Sequence, residues 1–291
     1  MKKKIIVLGA GGMAGHVITL ELRKRPQDFE VIAVSRANNL VASDIILDVT
    51  DLQGLQNMLQ QQNPDVIINC IGTLNQMAEN DPANAILINS YLPHYLEQLT
   101  KDTDSRLIHI STDCVFSGKK GSYVETDIKD GQGYYAQTKA LGEVINDKDL
   151  TIRTSIIGPE LNENGIGLFN WFAKQQGNIS GYTQAYWTGV TTTELARAVV
   201  TVIEQKITGL YHLVNTEKIS KFSLLKIFLQ TFKNSIVTEI VASDNYQSDK
   251  SLINTRTDHK LYVPTYTTMV EDMKIWMTGH KELYPHYAGI L

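Results

Sequence analysis

The sequence predicts an α/β fold built on a doubly wound parallel sheet, with a smaller, discontinuous C-terminal α/β lobe. Three observations predict it. Short β-branched runs alternate with longer amphipathic stretches through the first half, the pattern of βαβ units. Those runs are apolar throughout, as strands covered on both faces must be. A glycine cluster, "GAGGMAG" (9–15), stands between the first run and the first amphipathic stretch. That is where a phosphate-binding turn belongs in a Rossmann-like sheet.

The elements follow in order. "KIIVLG" (4–9) reads as a buried strand and "MAGHVITLELRKR" (13–25) as a helix. "EVIAVS" (30–35) is a second strand and "DIILDV" (44–49) a short third one. "DLQGLQNMLQQQ" (51–62) is a helix stopped by Asn63-Pro64, and "DVIINCIG" (65–72) is a strand. "NDPANAILINSYLPHYLEQLTK" (80–101) predicts one long helix with Pro82 in its first turn. "SRLIHIST" (105–112) is a strand, "YYAQTKALGEVIN" (134–146) a helix and "LTIRTS" (150–155) a strand.

The rhythm changes after residue 155. Residues 156–190 are rich in Gly, Asn, Gln and Tyr and show no clear period, so they read as loop. "TTTELARAVVTVIEQK" (191–206) is a helix entered from a threonine cap, and "GLYHLVN" (209–215) a strand. The expected division is a dinucleotide-binding domain over 1–155 plus about 190–215, and a substrate lobe over about 156–189 and 216–291.

Composition narrows the function classes. The chain has 291 residues, 43% apolar and 20% charged, an ordinary globular balance. A net charge of −4 gives no reason to expect nucleic acid or an anionic membrane as partner. Cys70 and Cys114, each beside an apolar run, suit a reduced, cytoplasmic protein. The basic-then-apolar start "MKKKIIVLGAGG" ends too soon in glycine to read as a signal peptide. No apolar stretch approaches the ~20 residues of a membrane span.

The glycine cluster fits two registers: Gly9, Gly12 and Gly15, or Gly9, Gly11 and Ala14. In either, the backbone turns sharply and the helix N-terminus faces a pyrophosphate. The second strand ends in Ser35 and Arg36 where sites for NAD often carry an acid. A guanidinium there pairs with a 2′-phosphate, so NADPH is expected, with NADH left open. Asp48, after the third strand, is a candidate acceptor for the adenine amino group.

The candidate catalytic group lies further on. Thr112 closes the strand "RLIHIST", and Tyr135 and Lys139 sit one turn apart on the helix that follows. Ketone reduction needs a hydride and a proton for the developing alkoxide. A free phenol, with a pKa of ~10, is a poor donor at neutral pH. Lowering it by ~3 units takes about 4 kcal/mol, which Lys139 and an oxidised nicotinamide are expected to supply. Thr112 would hold the substrate oxygen. Tyr246 and Lys250 repeat the spacing in "YQSDK", but no such strand precedes them, and they read as a polar loop.

The segments "GAGGMAG" (9–15), "DVTD" (48–51), "STDCVFSG" (111–118), "ETD" (125–127), "YYAQTKALGE" (134–143) and "RTS" (153–155) run in one familiar order. On them the chain resembles the extended short-chain dehydrogenase/reductase superfamily, and within it the dTDP-4-dehydrorhamnose reductase family. The resemblance implies NADPH-dependent reduction of a 4-keto group on a nucleotide-activated 6-deoxy sugar, serving surface polysaccharide synthesis. It puts the catalytic roles on Thr112, Tyr135 and Lys139. It implies cofactor contacts at Gly9, Gly12, Met13, Gly15, Ser35, Arg36, Asp48, Val49, Ile71, Gly72 and Thr73, with Tyr135 and Lys139 at the nicotinamide ribose. Cys114, Asn170, Tyr182 and Trp187 are the substrate-side candidates. A homodimer stays open, and no metal is expected, since no histidine pair has ligand spacing.

The chain departs from that family's pattern at Cys114, where an aromatic is usual, at "GYTQAYWTGVTTT" (181–193) and at "SLINTR" (251–256). The substrate is therefore left between a dTDP sugar and a UDP-linked acetamido sugar. Asp113-Cys114 lacks the Asp-Glu pair of related dehydratases. Cys114 is similar in place to the epimerising cysteine of GDP-fucose synthases, with Glu160 in "GPELN" where their histidine stands. A non-catalytic NADP-binding regulatory subunit is the third reading. His16, His94, His109 and His212 read as structural. Phe169 and Phe172 read as core, Trp171 is left between that core and stacking on the nucleotide base, and Tyr182, Tyr186 and Trp187 are expected in a pocket loop.

Overall fold

The computed structural model describes residues 2–38, 41–232 and 237–291. The elements run β1 (Lys3–Leu8), α1 (Met13–Arg23), β2 (Phe29–Ser35), β3 (Ile45–Ile46), α2 (Leu52–Gln62), β4 (Val66–Asn69), α3 (Asn75–Asn80) and α4 (Pro82–Ala85). A π-helical turn (Ile86–Tyr91) leads into α5 (Leu92–Thr100), followed by β5 (Arg106–Ile110), α6 (Gly133–Leu141) and β6 (Leu150–Arg153). Then come β7 (Ile156–Ile157), α7 (Leu168–Ala173), β8 (Gly177–Trp187), β9 (Val190–Thr191), α8 (Thr192–Gln205) and β10 (Gly209–His212). The chain finishes with β11 (Ile219–Ser220), α9 (Lys221–Phe232), β12 (Val237–Asp249) and α10 (Tyr266–Gly279).

Seven strands form the main sheet in the order β10-β6-β5-β4-β1-β2-β3, with every pairing parallel. The order reverses between β1 and β4, and ligands bind at the carboxyl ends of strands at such a switch point. The strands are apolar on both sides because both faces are packed. Ile5 and Val7 join a core with Val17 and Ile18 of α1 and Val199 of α8. Ile6 and Leu8 face the other way, against Leu55 of α2 and Leu96 of α5. The first of these cores continues without a break into Phe169, Phe172 and Phe228 of the C-terminal region. A second sheet, β11-β8-β12, stands there.

Three expectations give way to the structure. The long helix over 80–101 is broken into α3, α4, a π turn and α5. Asp81 caps α4 through Asn84 N–H at 3.1 Å. Pro93 has no N–H to return to Asn89, and the Asn89 carbonyl instead abuts Gly142, where an added Cβ would lie 1.8 Å from that oxygen. The expected loop over 156–190 holds α7 and the eleven-residue strand β8. In β8 a period-2 burial pattern is hidden because its outer residues are polar and its inner ones include Gly181 and Ala185. Tyr246 lies in β12 and not in a loop; this strand is largely exposed, so it is not marked by apolar residues. Among the described residues no helix is long and apolar enough to cross a membrane.

Candidate active site

Two adjoining cavities open at the carboxyl edge of the main sheet. The larger, about 650 Å³, is lined by Gly9, Gly12, Ser35, Arg36, Asp48, Val49, Ile71, Gly72 and Thr73. These nine are among the residues expected to contact a dinucleotide; Thr50, Cys70, Met77, Asn84 and others line the same cavity. The β1–α1 turn shows why glycine is required. Gly9 has φ of 81°, in the left-handed region that favours glycine, and an added Cβ would press on Ile71 Cγ1 at 2.9 Å. A Cβ on Gly15 would come within 2.1 Å of the Gly9 carbonyl oxygen. The close approaches thus fall on the Gly9, Gly12, Gly15 register, with Gly12 at the N-cap of α1. The bare turn is a cradle that a side chain would fill, and it fits a pyrophosphate at the helix N-terminus.

The rim supplies the remaining polar groups. Arg36 and Ser35 stand at the end of β2 with no carboxylate between them. Thr50 donates its N–H and its hydroxyl to Asp48 Oδ1 at 3.0 and 2.8 Å. These bonds hold the Asp48 carboxyl below its ordinary range, with Arg36 helping. Met13 and Gly15 do not line this cavity; Met13 Cε instead approaches Gly167.

The second cavity, about 460 Å³, is lined by Tyr135, Cys114, Glu79, Gln132, Lys119 and Lys250 among others. Beyond β5 the chain stays extended: Ser111 N–H donates to Ile152 O at 2.7 Å and Asp113 N–H to Thr154 O at 3.1 Å. A 3-10 turn (Asp113–Val115) follows, capped by Thr112 Oγ1, which accepts Cys114 N–H at 3.1 Å. The Thr112 hydroxyl donates to Asp113 Oδ1 at 3.2 Å. Tyr135 is delivered from α6, whose first residue Gly133 (φ of 84°) meets the Glu79 carboxylate.

The Tyr135 phenol is pushed up, not down: burial dominates, Cys114 and Asp113 add to it, and the Thr112 hydrogen bond opposes. Lys139 does not reach across to it. Its ammonium donates to Ile110 O at 2.8 Å and meets His109 Nε2 at 3.3 Å. Burial lowers Lys139 to about 8. The protein alone therefore does not acidify the phenol, and a bound cationic group would have to contribute.

The substrate-side candidates separate. Cys114 lines the Tyr135 cavity, and burial pushes its thiol up to about 11, which disfavours a thiolate base. Glu160 is not brought to it: its carboxylate accepts Gly167 N–H at 2.7 Å and holds the 160–167 loop. Asn170 is enclosed, donating to Glu163 O and Gly165 O at 3.0 and 2.6 Å and accepting from Tyr287 at 2.8 Å. Tyr182 is exposed on β8 and packs on Tyr246 with ring centroids 5.3 Å apart. Trp187 is buried, with Lys221 Nζ 5.1 Å from its ring centroid, and its indole N–H has no hydrogen-bond partner.

Several residues at the site carry no sequence signal. Lys250, set aside with Tyr246, lines the Tyr135 cavity. Burial pushes the Asp113 carboxyl up, and Lys250 and Lys221 partly offset this. His109, read as a plain core residue, touches Lys139. Lys250 follows directly on the end of β12, a strand whose burial does not alternate, so nothing in the sequence marks where it emerges.

Comparisons with known proteins give the family. Residues 2–256 match the family model described as the RmlD substrate binding domain. The chain belongs to this family. The spore coat polysaccharide biosynthesis protein SpsK of Bacillus subtilis is 27% identical over 219 residues, covering 73% of this chain and 74% of that one. A solved hypothetical dTDP-4-dehydrorhamnose reductase from Sulfolobus tokodaii is 29% identical, with a TM-score of 0.74 over 87% of this chain and 92% of that one. The Bacillus anthracis dTDP-4-dehydrorhamnose reductase, solved with NADP, shares the fold with a TM-score of 0.81 at 22% identity, covering 95% and 99%.

Proposed function

We propose that this protein is an NADPH-dependent reductase of a nucleotide-linked 4-keto-6-deoxy sugar, of the dTDP-4-dehydrorhamnose reductase type. The product would serve cell-surface polysaccharide synthesis. One observation carries the reading: Tyr135 lines a cavity with Cys114, two residues after Thr112, while a separate glycine-lined cavity gathers Gly9, Gly12, Arg36 and Asp48. The names of the relatives support the substrate class.

When bound, the nicotinamide supplies the hydride. The chain's own residues do the rest. Gly9, Gly12 and the N-terminus of α1 seat the pyrophosphate, and Arg36 with Ser35 takes the 2′-phosphate. The Thr112 hydroxyl orients the substrate carbonyl, and Tyr135 gives its proton to the oxygen as charge develops there. Lys139, one turn along the same helix, is assigned to the nicotinamide ribose and to proton supply toward Tyr135. Tyr182 and Trp187 are assigned to the sugar nucleotide. The Rossmann unit is assigned to 1–155 plus about 190–215, with the substrate lobe over the remainder.

The decisive assay follows NADPH oxidation with dTDP-, UDP- and GDP-linked 4-keto sugars and determines the product configuration. Turnover with the dTDP substrate is the expected result. NADPH binding without turnover on any of them would favour a regulatory subunit.

A further inference from the structure

His109 lies within β5 with no solvent exposure, and a donor faces each of its ring nitrogens. Nδ1 meets Asn69 Nδ2 at 3.2 Å, and Nε2 meets Lys139 Nζ at 3.3 Å. The Asn69 amide is oriented, because its Oδ1 accepts Ile71 N–H at 3.1 Å. A neutral imidazole offers one N–H and one lone pair. The lone pair at Nδ1 takes the Asn69 N–H, so the ring proton sits on Nε2 and points at Lys139.

An ammonium has only N–H groups to present to that proton; an amine has a lone pair. Shifting the imidazole proton to Nδ1 moves the mismatch to Asn69, and turning the Asn69 amide then moves it to Ile71 N–H. With Lys139 charged, the buried chain Ile71–Asn69–His109–Lys139 has one donor too many in every arrangement. With Lys139 as an amine it has none, and the bond to Ile110 O survives.

We propose that His109 is a positioning residue that, oriented by Asn69, donates from Nε2 to Lys139 and selects its amine form. Its use in turnover rests on the reductase reading above: Lys139 can then give a proton toward Tyr135 and be left in a state the network accepts. Other groups face the pair. Cys70 approaches Lys139 from the segment after β4, with its thiol pushed up to about 12 by burial and so neutral. Glu143 acts on Lys139 from just beyond the C-terminus of α6, and His94 acts on His109 from α5. Burial works in the same direction as the network, lowering Lys139 to about 8.

The test needs neither cofactor nor substrate, so its outcome is independent of the reductase reading. Long-range 1H–15N spectra of the wild-type protein should show His109 as the neutral Nε2–H tautomer above pH 8. An Nδ1–H tautomer or an imidazolium would overturn the proposal. With 13Cε-labelled lysine, the Lys139 signal, assigned by its loss in Lys139→Met, should titrate near pH 8. In His109→Gln an amide oxygen can turn to the ammonium, and in Asn69→Asp the carboxylate accepts His109 Nδ1–H and frees Nε2 as an acceptor. Both should raise the midpoint by a unit or more, at least tenfold in proton affinity. Unchanged midpoints in the folded variants would overturn the proposal, and the tautomer measurement decides if neither folds.

Discussion

Asn89 grips Thr73 by both of its backbone groups: Oδ1 accepts Thr73 N–H at 2.8 Å, and Nδ2 donates to Thr73 O at 2.9 Å. The same Nδ2 reaches Thr138 Oγ1 on α6 at 3.1 Å. One fully buried side chain in the π turn thus ties the wall of the larger cavity to the helix that carries Tyr135. Asn89→Ala leaves buried polar groups without partners, at a cost of about 2–4 kcal/mol. Denaturant unfolding should show that loss, and NADPH titration a weaker Kd. A variant within about 0.5 kcal/mol of wild type, the scale of a neutral surface change, would mean that the clamp is replaceable.

Arg153 and Glu143 form a buried two-point ion pair, with Nε–Oε1 at 2.6 Å and Nη2–Oε2 at 2.7 Å. Burial alone would push the Glu143 carboxyl up; Arg153 outweighs it, with Lys129 and Ser111 helping, and the group ends below its ordinary value of 4.5. A depressed carboxylate contributes stability that is present above its unfolded pKa and lost as pH falls through the folded one. Glu143→Gln should cost about 3–5 kcal/mol at pH 7, because it strands the guanidinium. The difference from wild type should shrink below about pH 4. Urea melts at pH 7 and pH 3.5 measure both effects.

What could be read from the chain and what could not divide along physical lines. The apolar runs 4–9, 30–35 and 65–72 mark strands because both faces of the main sheet are buried, so composition and structure agree. Gly9 and Gly15 are legible because close backbone approach leaves one residue type that fits. β8 and β12 are not, since one is polar outside with small residues inside and the other is largely exposed. The pairs Asn89–Thr73, His109–Lys139 and Glu160–Gly167 join positions that only the folded chain brings together. Lys250 shows the limit most sharply: its spacing from Tyr246 carries no information, and its place beside Tyr135 depends on the register of β12 against β8.

His16 makes acid stability depend on the glycine loop. Its Nδ1–H donates to Gly12 O at 2.8 Å and its Nε2 accepts from the Tyr284 hydroxyl at 2.7 Å, so the buried neutral ring has both nitrogens satisfied. Burial lowers it from 6.5 to about 4. The unfolded chain therefore binds the proton first, and stability is lost as pH falls from about 6.5 toward 4. The shift corresponds to a loss on the order of 3 kcal/mol. His16→Gln should be less stable at pH 7 and show a flatter decline over that window. An unchanged slope would assign the acid loss to other groups.

Tyr135→Phe removes the proposed proton donor while keeping the ring. Its kcat should fall by about 10²–10⁴-fold, the usual worth of general acid catalysis, with NADPH affinity nearly unchanged. Thr112→Val should lower kcat and raise KM for the sugar together, since the hydroxyl is assigned to the substrate carbonyl in both the ground state and the transition state. Stopped-flow NADPH oxidation with parallel binding titrations separates these effects. Full turnover by Tyr135→Phe would place the proton donor elsewhere in the pocket.

Arg36 tests the choice of cofactor. It is exposed at the rim of the larger cavity, at the end of β2, where a carboxylate would instead favour a free ribose hydroxyl. A guanidinium on a 2′-phosphate forms charge-assisted bonds that the unphosphorylated cofactor lacks. Arg36→Ala should therefore raise KM for NADPH by roughly tenfold, about 1.4 kcal/mol, and leave KM for NADH close to wild type. Raising salt should weaken NADPH binding in the wild type more than in the variant, because an exposed ion pair is screened. Equal effects of the substitution on both cofactors would show that Arg36 contributes to the shape of the rim and not to the phosphate.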